Sequence, residues 1–374
     1  MKICEKCFKN SEIKEIIKNN NTSIGQCDVD PSHKNVHVFD TNTETETLHA
    51  IQDCLRSILD IYSIDSDLPK GYDIEKLHVL SHALSNDWAI FNVEDRQIKE
   101  IIIRLFENDD DVDKRLFEKQ VGAPILMDKT FLKENLILKN NNWNQFCEEL
   151  KYTNRFHNDK INLQNLKVFI EETRISISIH EFNTQLRHLY RARIVDFISN
   201  QSEIMAPPKD IVTPGRLNAQ WIRVLYLSTS PTICVDECRP TYNDIVYVGE
   251  VQLKNYSKLD KQSILIADLS NFTVKSLNRN FDSEKIYKYY VNYDVIKHIQ
   301  SGISEPSSPQ GQEYIPFQYI ADYIKSLGYD GIKYSSIFDP TTFNYMFFDP
   351  DLFECIHWNK KIVTNVSLKL ENAD

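Results

Sequence analysis

The sequence has few glycines and no long apolar stretch. Its nine glycines stand singly among 374 residues, and neither G-x-G-x-x-G nor G-x4-G-K occurs, which excludes the glycine-rich phosphate cradles of dinucleotide-binding and P-loop domains. No run approaches the roughly 18 apolar residues that can span a bilayer. The first residues, Met-Lys-Ile-Cys-Glu-Lys-Cys, contain no apolar signal segment either. We therefore expect a soluble cytoplasmic protein without a membrane partner.

Basic residues are outnumbered by acidic ones. Lys and Arg total 43 against 54 Asp and Glu, which gives a formal net charge of −11. Because phosphate backbones bind to basic surfaces, this balance argues against nucleic acid as a general partner and leaves only a local basic patch open. The hydrophobic content of 41% is well above that of a disordered chain. The length allows two or three domains with cores of their own.

Eight cysteines are present, two of them in a Cys-x-x-Cys pair at the start of the chain. This usage suits a reducing compartment with one metal site better than a disulfide framework. We predict a zinc-knuckle-like unit at residues 1–42 that holds a structural Zn²⁺ through four ligands: Cys4, Cys7, Cys27 and His33. Asp30 could replace a thiolate, and His37 is a second histidine candidate. The alternative is a knuckle that has lost its metal and persists as a short β-hairpin.

Residues 43–185 have mainly helical periodicity. Apolar residues recur at three- and four-residue steps over Leu48–Leu59, Ile74–Trp88 and Ile98–Phe106, so we predict an α-helical domain over residues 43–185. One segment differs. Between Arg174 and His180 the chain reads Ile-Ser-Ile-Ser-Ile, and this strict alternation favours a strand.

The C-terminal half has the pattern of a mixed α/β domain, which we place at residues 186–365 with a tail at 366–374. Helices are expected near 283–300 and 314–327, the second closed by Gly328. Apolar, β-rich runs predict strands over five segments: Ile222–Ser228, Ile245–Leu253, Ser263–Leu269, Ile332–Ser335 and Asn344–Phe348.

Polar side chains interrupt this half of the sequence in four ordered motifs. They are Leu-Tyr-Arg-Ala-Arg at 189–193, Pro-Gly-Arg-Leu-Asn at 214–218, Val-Leu-Tyr-Leu-Ser at 224–228, and Tyr-Asp-Gly-Ile-Lys-Tyr-Ser-Ser at 329–336; Glu237 follows Tyr226 by eleven residues. Together they resemble the RES domain, a family named after an Arg, a Glu and a Ser. The resemblance implies four catalytic residues: Arg191, Tyr226, Glu237 and Ser336. It implies four substrate-binding residues: Arg193, Arg216, Asn218 and Tyr334.

Two of these assignments have a neighbouring competitor. Arg193 stands two positions after Arg191 and would share its face of a strand, whereas Ser335 precedes Ser336 and would point the opposite way.

Each of the four catalytic candidates also has a structural interpretation when taken alone. Glu237 could be a solvated helix carboxylate, and Tyr226 a core residue. Arg191 could pair with Asp196, and Ser336 could be a turn serine. The ordered recurrence of all four favours the functional interpretation.

RES domains resemble the ADP-ribosyltransferase fold and consume NAD⁺, which would here be a substrate held by side chains. Breaking the nicotinamide–ribose bond creates an oxocarbenium-like ribose, which a carboxylate such as Glu237 can stabilise. Arginine suits the pyrophosphate because its planar fork donates two hydrogen bonds, so Arg191 and Arg216 are the candidates for that contact. Tyr226 offers an aromatic face and a hydroxyl, and Ser336 a short donor and acceptor that can orient the ribose or the amide.

The helical region resembles the HEPN class, which precedes RES domains in a recognisable arrangement. The overall expectation is therefore an α+β protein: a zinc knuckle and a HEPN-like helical region, followed by a mixed α/β RES domain resembling the ADP-ribosyltransferase fold. The implied function is that of a bacterial toxin or phage-defence effector that hydrolyses or phosphorolyses NAD⁺ and is blocked by an antitoxin; assembly into homo-oligomers is left open. The alternatives are transfer of ADP-ribose to a protein, a HEPN-type ribonuclease that uses Arg174 and His180, and an inactive adaptor.

Overall fold

The computed structural model describes residues 1–20, 23–254, 261–271, 283–304, 312–339 and 341–366. The chain divides into two compact units. The first unit comprises Met1–Asn141 and Thr273–Asp294, and the second comprises Asn142–Phe272 and Val295–Asp374. No helix in these described ranges is long and apolar enough to cross a membrane. Most of the expected tail, residues 367–374, lies outside the described residues.

The first unit begins with a three-stranded antiparallel sheet. Its strands are β1 (Lys2–Cys4), β2 (Ser23–Gly25) and β3 (Val36–Asp40), in the order β1-β3-β2. Helix α1 (Ser11–Asn19) starts at Asn10, whose side chain accepts a hydrogen bond from the Ile13 amide at 3.0 Å and so satisfies one free donor of the first turn. Ile13 and Ile17, one turn apart, are buried. This sheet and helix hold the Cys-rich segment in place.

Helices form most of the remaining first unit: α2 (Thr45–Leu59), α3 (Leu80–Asn86), α4 (Asp95–Phe106), α5 (Lys129–Asn135) and α10 (Ser283–Val291). The first and third predicted helical stripes are therefore confirmed. The second is wrong in its first half, because Ile74–Lys76 is a 3₁₀ turn and His78–Val79 is a strand, β5. That strand joins a small sheet with β4 (Ser63–Ile64) and β6 (Gln120–Gly122), in the order β4-β6-β5. Ile74 is 78% exposed, so it contributes nothing to a helical stripe.

The second unit is built on an eight-stranded sheet in the order β14-β10-β8-β9-β13-β12-β11-β7. Its strands are β7 (Arg174–Ser178), β8 (Leu189–Ile194), β9 (Leu225–Ser228), β10 (Ile245–Leu253), β11 (Ser263–Asp268), β12 (Gly331–Ser335), β13 (Phe343–Phe347) and β14 (Phe353–Ile362). All neighbours are antiparallel except β11 and β12, which are parallel. The five predicted strands and the alternating segment after Arg174 are confirmed, with no end shifted by more than three residues.

The helices of the second unit are α6 (Trp143–Glu148), α7 (Leu163–Glu172), α8 (Ile179–Gln185), α9 (Ile233–Asp236) and α12 (Ile315–Ser326), together with most of α11 (Tyr293–Ser304). Because α6, α7, β7 and α8 pack here, the two compact units divide at residue 141; the domain boundary expected at 185 stays a prediction. The region expected to be one helix near 283–300 consists of α10 and α11, which are separated at Asn292.

The two faces of the large sheet differ in chemistry. Leu227, Tyr345 and Phe347 lie on one face, within a buried apolar cluster to which β8, β10, β11 and β14 also contribute. On the opposite face, a polar row crosses four strands, because Tyr334 pairs with Asn344, Asn344 with Ser228, and Ser228 with Tyr190. This polar face carries the candidate site.

Candidate active site

A cavity of about 400 Å³ opens on the polar face of the sheet. Strands β8, β9, β12 and β13 form its floor, and the loop at 214–216, helix α9 with the residues after it, and Tyr314 form its walls. Strands β8 and β9 share only the Tyr190–Ser228 pair. Beyond that pair, the backbone groups of the two strands are not paired with each other. The Arg191 guanidinium binds there instead, and its Nη1 donates to the Tyr226 carbonyl at 3.2 Å.

Glu237 is held by two hydrogen-bond donors inside this cavity. It ends the short helix α9, where its amide donates to the Ile233 carbonyl. Its Oε1 accepts from Ser336 Oγ at 2.8 Å and from Asn344 Nδ2 at 2.7 Å. Ser336 and Asn344 are each 3% exposed. Two buried donors on one oxygen fix the carboxylate in position.

Asn344 was not expected from the sequence. It is the polar residue inside the strand Phe-Asn-Tyr-Met-Phe, and that interruption of an apolar run was the available signal. Its Nδ2 bonds to Glu237, while its Oδ1 is buried and has no hydrogen-bond partner among the described residues. An acceptor of that kind favours a ligand that brings a donor.

Arg191 and Arg216 place positive charge in the cavity, and neither has a carboxylate partner among the residues that the structure describes. Arg191 Nε donates to the Ile204 carbonyl at 2.8 Å, and Arg216 Nη1 donates to the Ile303 carbonyl at 2.7 Å. Neither guanidinium forms an ion pair within the described part of the chain, so Arg191 does not pair with Asp196 there. Burial, and after it the nearby charge of Arg193, lowers the pKa of Arg191.

Tyr226 uses its hydroxyl inside the protein. The hydroxyl donates to Asn218 Oδ1 at 2.9 Å and accepts from the Leu217 amide at 3.0 Å. Burial raises the pKa of Tyr226 to about 12. Its ring still lines the cavity, as does the ring of Tyr334, whose pKa burial also raises. The available surface of Tyr226 is therefore its aromatic face.

The remaining assigned residues lie beside the cavity. Asn218 is 4% exposed, and its Nδ2 donates to the carbonyls of a surrounding loop. Arg193 is not part of the lining, and its Nη1 donates to the Glu203 carbonyl. Ser336 contacts the cavity through Glu237, and Ser335 bonds away from it, to the Ser270 carbonyl at 3.5 Å.

A second cluster of functional side chains lies in the first unit. The ligand atoms of Cys4, Cys7, Cys27 and His33 all fall within 4.8 Å of one another. The Cys4 and Cys7 sulfurs are 3.6 Å apart, those of Cys7 and Cys27 are 3.5 Å apart, and Cys4 Sγ lies 3.4 Å from His33 Nδ1. The three cysteines are buried. Asp30 stands outside the group, with Oδ2 3.6 Å from the other ring nitrogen of His33.

Comparison with known proteins identifies the region that carries the cavity. The RES domain family matches residues 188–369, a range that contains every residue lining the cavity. The resemblance drawn from the motifs is thus confirmed for this region. No curated protein matches the chain. Among solved structures, the M. tuberculosis MbcT-MbcA toxin-antitoxin complex matches with 10% identity and a TM-score of 0.30, over 52% of this chain and 91% of the other.

Proposed function

We propose that this chain cleaves the bond between nicotinamide and ribose in NAD⁺. The observation that carries the proposal is that one cavity contains a carboxylate fixed by two donors and two arginines that form no ion pair within the described residues. The carboxylate suits a substrate whose reacting centre becomes cationic, and the two arginines suit a substrate that carries an anionic diphosphate. The RES assignment of residues 188–369 supports the same chemistry.

Glu237 would act on the reacting ribose. When the bond from ribose C1′ to the nicotinamide nitrogen breaks, its electron pair leaves with nicotinamide and the ribose becomes oxocarbenium-like. A carboxylate stabilises that charge. Because Ser336 and Asn344 both bond to Oε1, and Oε2 has no hydrogen bond within the described residues, Oε2 is the oxygen that would face C1′ or a ribose hydroxyl.

The arginines would bind the diphosphate. Both arginines are half-buried. Removing part of a guanidinium from water is costly, and an oxyanion that bonds to it offsets part of that cost. The cavity volume of about 400 Å³ lies at the small end of the range for ligand sites, about 300–1,000 Å³. We therefore propose that the nicotinamide ribose half enters the cavity, with its ring against Tyr226 or Tyr334, while the diphosphate lies against Arg191 and Arg216.

Water is the proposed acceptor of the ADP-ribose. It adds at C1′ and loses a proton, which gives ADP-ribose and nicotinamide as products. Inorganic phosphate or a protein side chain would serve as acceptor by the same first step. On the RES resemblance we further propose that NAD⁺ depletion makes this chain a toxin and that a protein partner blocks the cavity.

Product analysis tests the proposal directly. Purified protein is incubated with NAD⁺, with and without phosphate, and the products are separated and identified. Release of nicotinamide together with ADP-ribose supports hydrolysis, a phosphorylated ADP-ribose supports phosphorolysis, and ADP-ribose attached to protein supports transfer. NAD⁺ that stays intact in every condition would contradict the proposed function.

For the first unit we propose a structural Zn²⁺ bound by Cys4, Cys7, Cys27 and His33. Zinc bonds of about 2.0–2.3 Å in a tetrahedron place the ligand atoms about 3.3–3.8 Å apart, and three of the measured separations are 3.4, 3.5 and 3.6 Å. Asp30 would be an outer partner that orients His33, not a ligand. Four protein ligands leave no open position for a substrate, so the metal would stabilise the fold.

A further inference from the structure

The loop that carries Arg216 is held from both sides. Gly215 donates its amide to the Asn218 carbonyl at 2.9 Å, and a side chain at position 215 would clash, since its Cβ would lie 2.4 Å from Asn218 Oδ1. The Tyr226 hydroxyl bonds to both Asn218 and Leu217. The loop is therefore fixed against the sheet on this side.

On its other side, the loop is held by Gln318. This residue lies in α12, and its Nε2 donates to the Gly215 carbonyl at 2.7 Å. The Arg216 side chain is held separately by the Ile303 carbonyl at 2.7 Å, near the C-terminal end of α11, where partial negative charge favours a cation. The sequence motifs contain no sign of Gln318, which stands about a hundred residues after the loop.

The Arg216 Nε, unlike Nη1, is buried and has no hydrogen-bond partner among the described residues. A buried donor without an acceptor is destabilising, and an oxyanion in the cavity would satisfy it. Arg216 follows Gly215 directly in the chain, and both residues line the cavity. The position of the Arg216 Nε therefore depends on the backbone of residues 215 and 216.

We infer that Gln318 is a positioning residue, which sets the Arg216 guanidinium for the diphosphate and so makes the site prefer a dinucleotide over the same nucleoside without phosphates. The inference rests on the proposed function. It assigns to α12 a role in substrate choice, whereas the chemistry at C1′ stays with Glu237. Gln318 does not contact the substrate, and its loss should weaken diphosphate binding in the ground state and in the transition state alike.

The test compares ligands with and without the diphosphate. In Gln318→Met the side chain keeps its length and loses the donor, and Lys325→Met is the matched control on the exposed side of the same helix. We expect Gln318→Met to lower kcat/KM for NAD⁺ and the calorimetric affinity for ADP-ribose by about fivefold, the size of one hydrogen bond. The rate of nicotinamide release from nicotinamide riboside, which has no phosphate, should stay within about twofold of the parent. Lys325→Met should leave all three values unchanged.

A double variant identifies the route of the effect. If Gln318 acts through Arg216, adding Gln318→Met to Arg216→Met should cause little further loss of ADP-ribose affinity, because coupled residues are not additive. Equal losses for NAD⁺ and nicotinamide riboside, full additivity of the two substitutions, or unchanged affinity for ADP-ribose would each overturn the inference. If the parent binds ADP-ribose but releases no nicotinamide, the proposed function fails, while the affinity measurements still decide the role of Gln318.

Discussion

The Cys/His cluster and the cavity each bring several polar side chains together, but these side chains are directed differently. Cys4, Cys7, Cys27 and His33 point at one another, and their ligand atoms all lie within 4.8 Å. In the cavity, Glu237, Arg191 and Arg216 are each held by neighbours and line an open volume of about 400 Å³. We propose that the closed set stabilises the fold as a metal site and that the open set of fixed groups binds a substrate.

The largest expected effect comes from the carboxylate. Glu237→Gln retains an Oε1 that can accept from Ser336 and Asn344, so the fold should be kept while the negative charge is lost. We expect nicotinamide release to fall by at least about tenfold, since a charge that stabilises the transition state is removed. Asp236→Asn, which neutralises the preceding carboxylate outside the cavity lining, is the control and should retain activity. A correctly folded Glu237→Gln protein as active as the parent would remove Glu237 from the reaction.

The two sites also differ in how far the sequence could predict them. The four cluster residues lie within the first 33 positions, where spacing alone identifies a ligand set. The cavity residues are spread from Tyr190 to Asn344, and only the resemblance to a family connected the motifs. It could not show that Arg193 and Asn218 use their polar groups on backbone carbonyls. Those bonds depend on tertiary packing, which local patterns do not encode.

The parts of the fold that were not predicted from the sequence also depend on tertiary packing. Strand β14 pairs along its length with β10, yet seven of its ten residues are exposed and it has no apolar run. Asn292 interrupts a helical pattern because its buried side chain donates to the carbonyls of Asn135 and Lys288 and accepts from the Ile137 amide. By contrast, β10 was predicted at its observed bounds, since six of its nine residues are apolar and four of these are β-branched.

The second-largest effect is expected from a substitution in the Cys/His cluster. Cys7→Ser should reduce the zinc content from about one equivalent per chain to near zero and lower the thermal transition, because metal binding to a structural site is folding free energy. The readout is metal analysis of protein purified without added zinc, together with thermal melts. Cys147→Ser, a thiol outside the cluster, should retain the metal.

Chelation sharpens the comparison between the sites. A chelator should lower the melting temperature of the parent protein without promptly reducing nicotinamide release. Absence of zinc from the parent would support a knuckle that has lost its metal. Prompt loss of turnover with the fold intact would mean that the metal takes part in the reaction, and the distinction drawn between closed and open sites would fail.

A smaller effect is expected from Asn344. Asn344→Ala leaves Glu237 with one of its two donors, so the carboxylate should be less well fixed and nicotinamide release should fall by about three- to tenfold, as for a lost charge-assisted hydrogen bond. Initial rates at saturating NAD⁺ measure this. Asn359→Ala, on the exposed part of β14, is the control. Wild-type turnover in Asn344→Ala would show that Ser336 alone suffices to hold the carboxylate.

The Tyr226 hydroxyl should matter for stability more than for chemistry. Tyr226→Phe keeps the ring in the cavity and removes the bonds to Asn218 and Leu217, which should cost about 1–2 kcal/mol of unfolding free energy. Denaturant unfolding measures the change, with Tyr242→Phe, 66% exposed, as control. Turnover should fall only about two- to fivefold, through the loop that carries Arg216. A loss as large as that of Glu237→Gln would instead place the hydroxyl in the reaction.

The smallest effect is expected from His180, and it separates NAD⁺ cleavage from the ribonuclease alternative. Arg174 lies in the edge strand β7 and His180 in the helix α8 that follows, so the pair does not share the helix that the alternative requires. His180 is also exposed and lies outside the cavity lining. His180→Ala should therefore leave NAD⁺ consumption and any growth arrest unchanged in cells that express the full chain, whereas Glu237→Gln should abolish both. RNA cleavage that His180→Ala abolishes, in cells whose NAD⁺ level never falls, would make the ribonuclease the correct assignment.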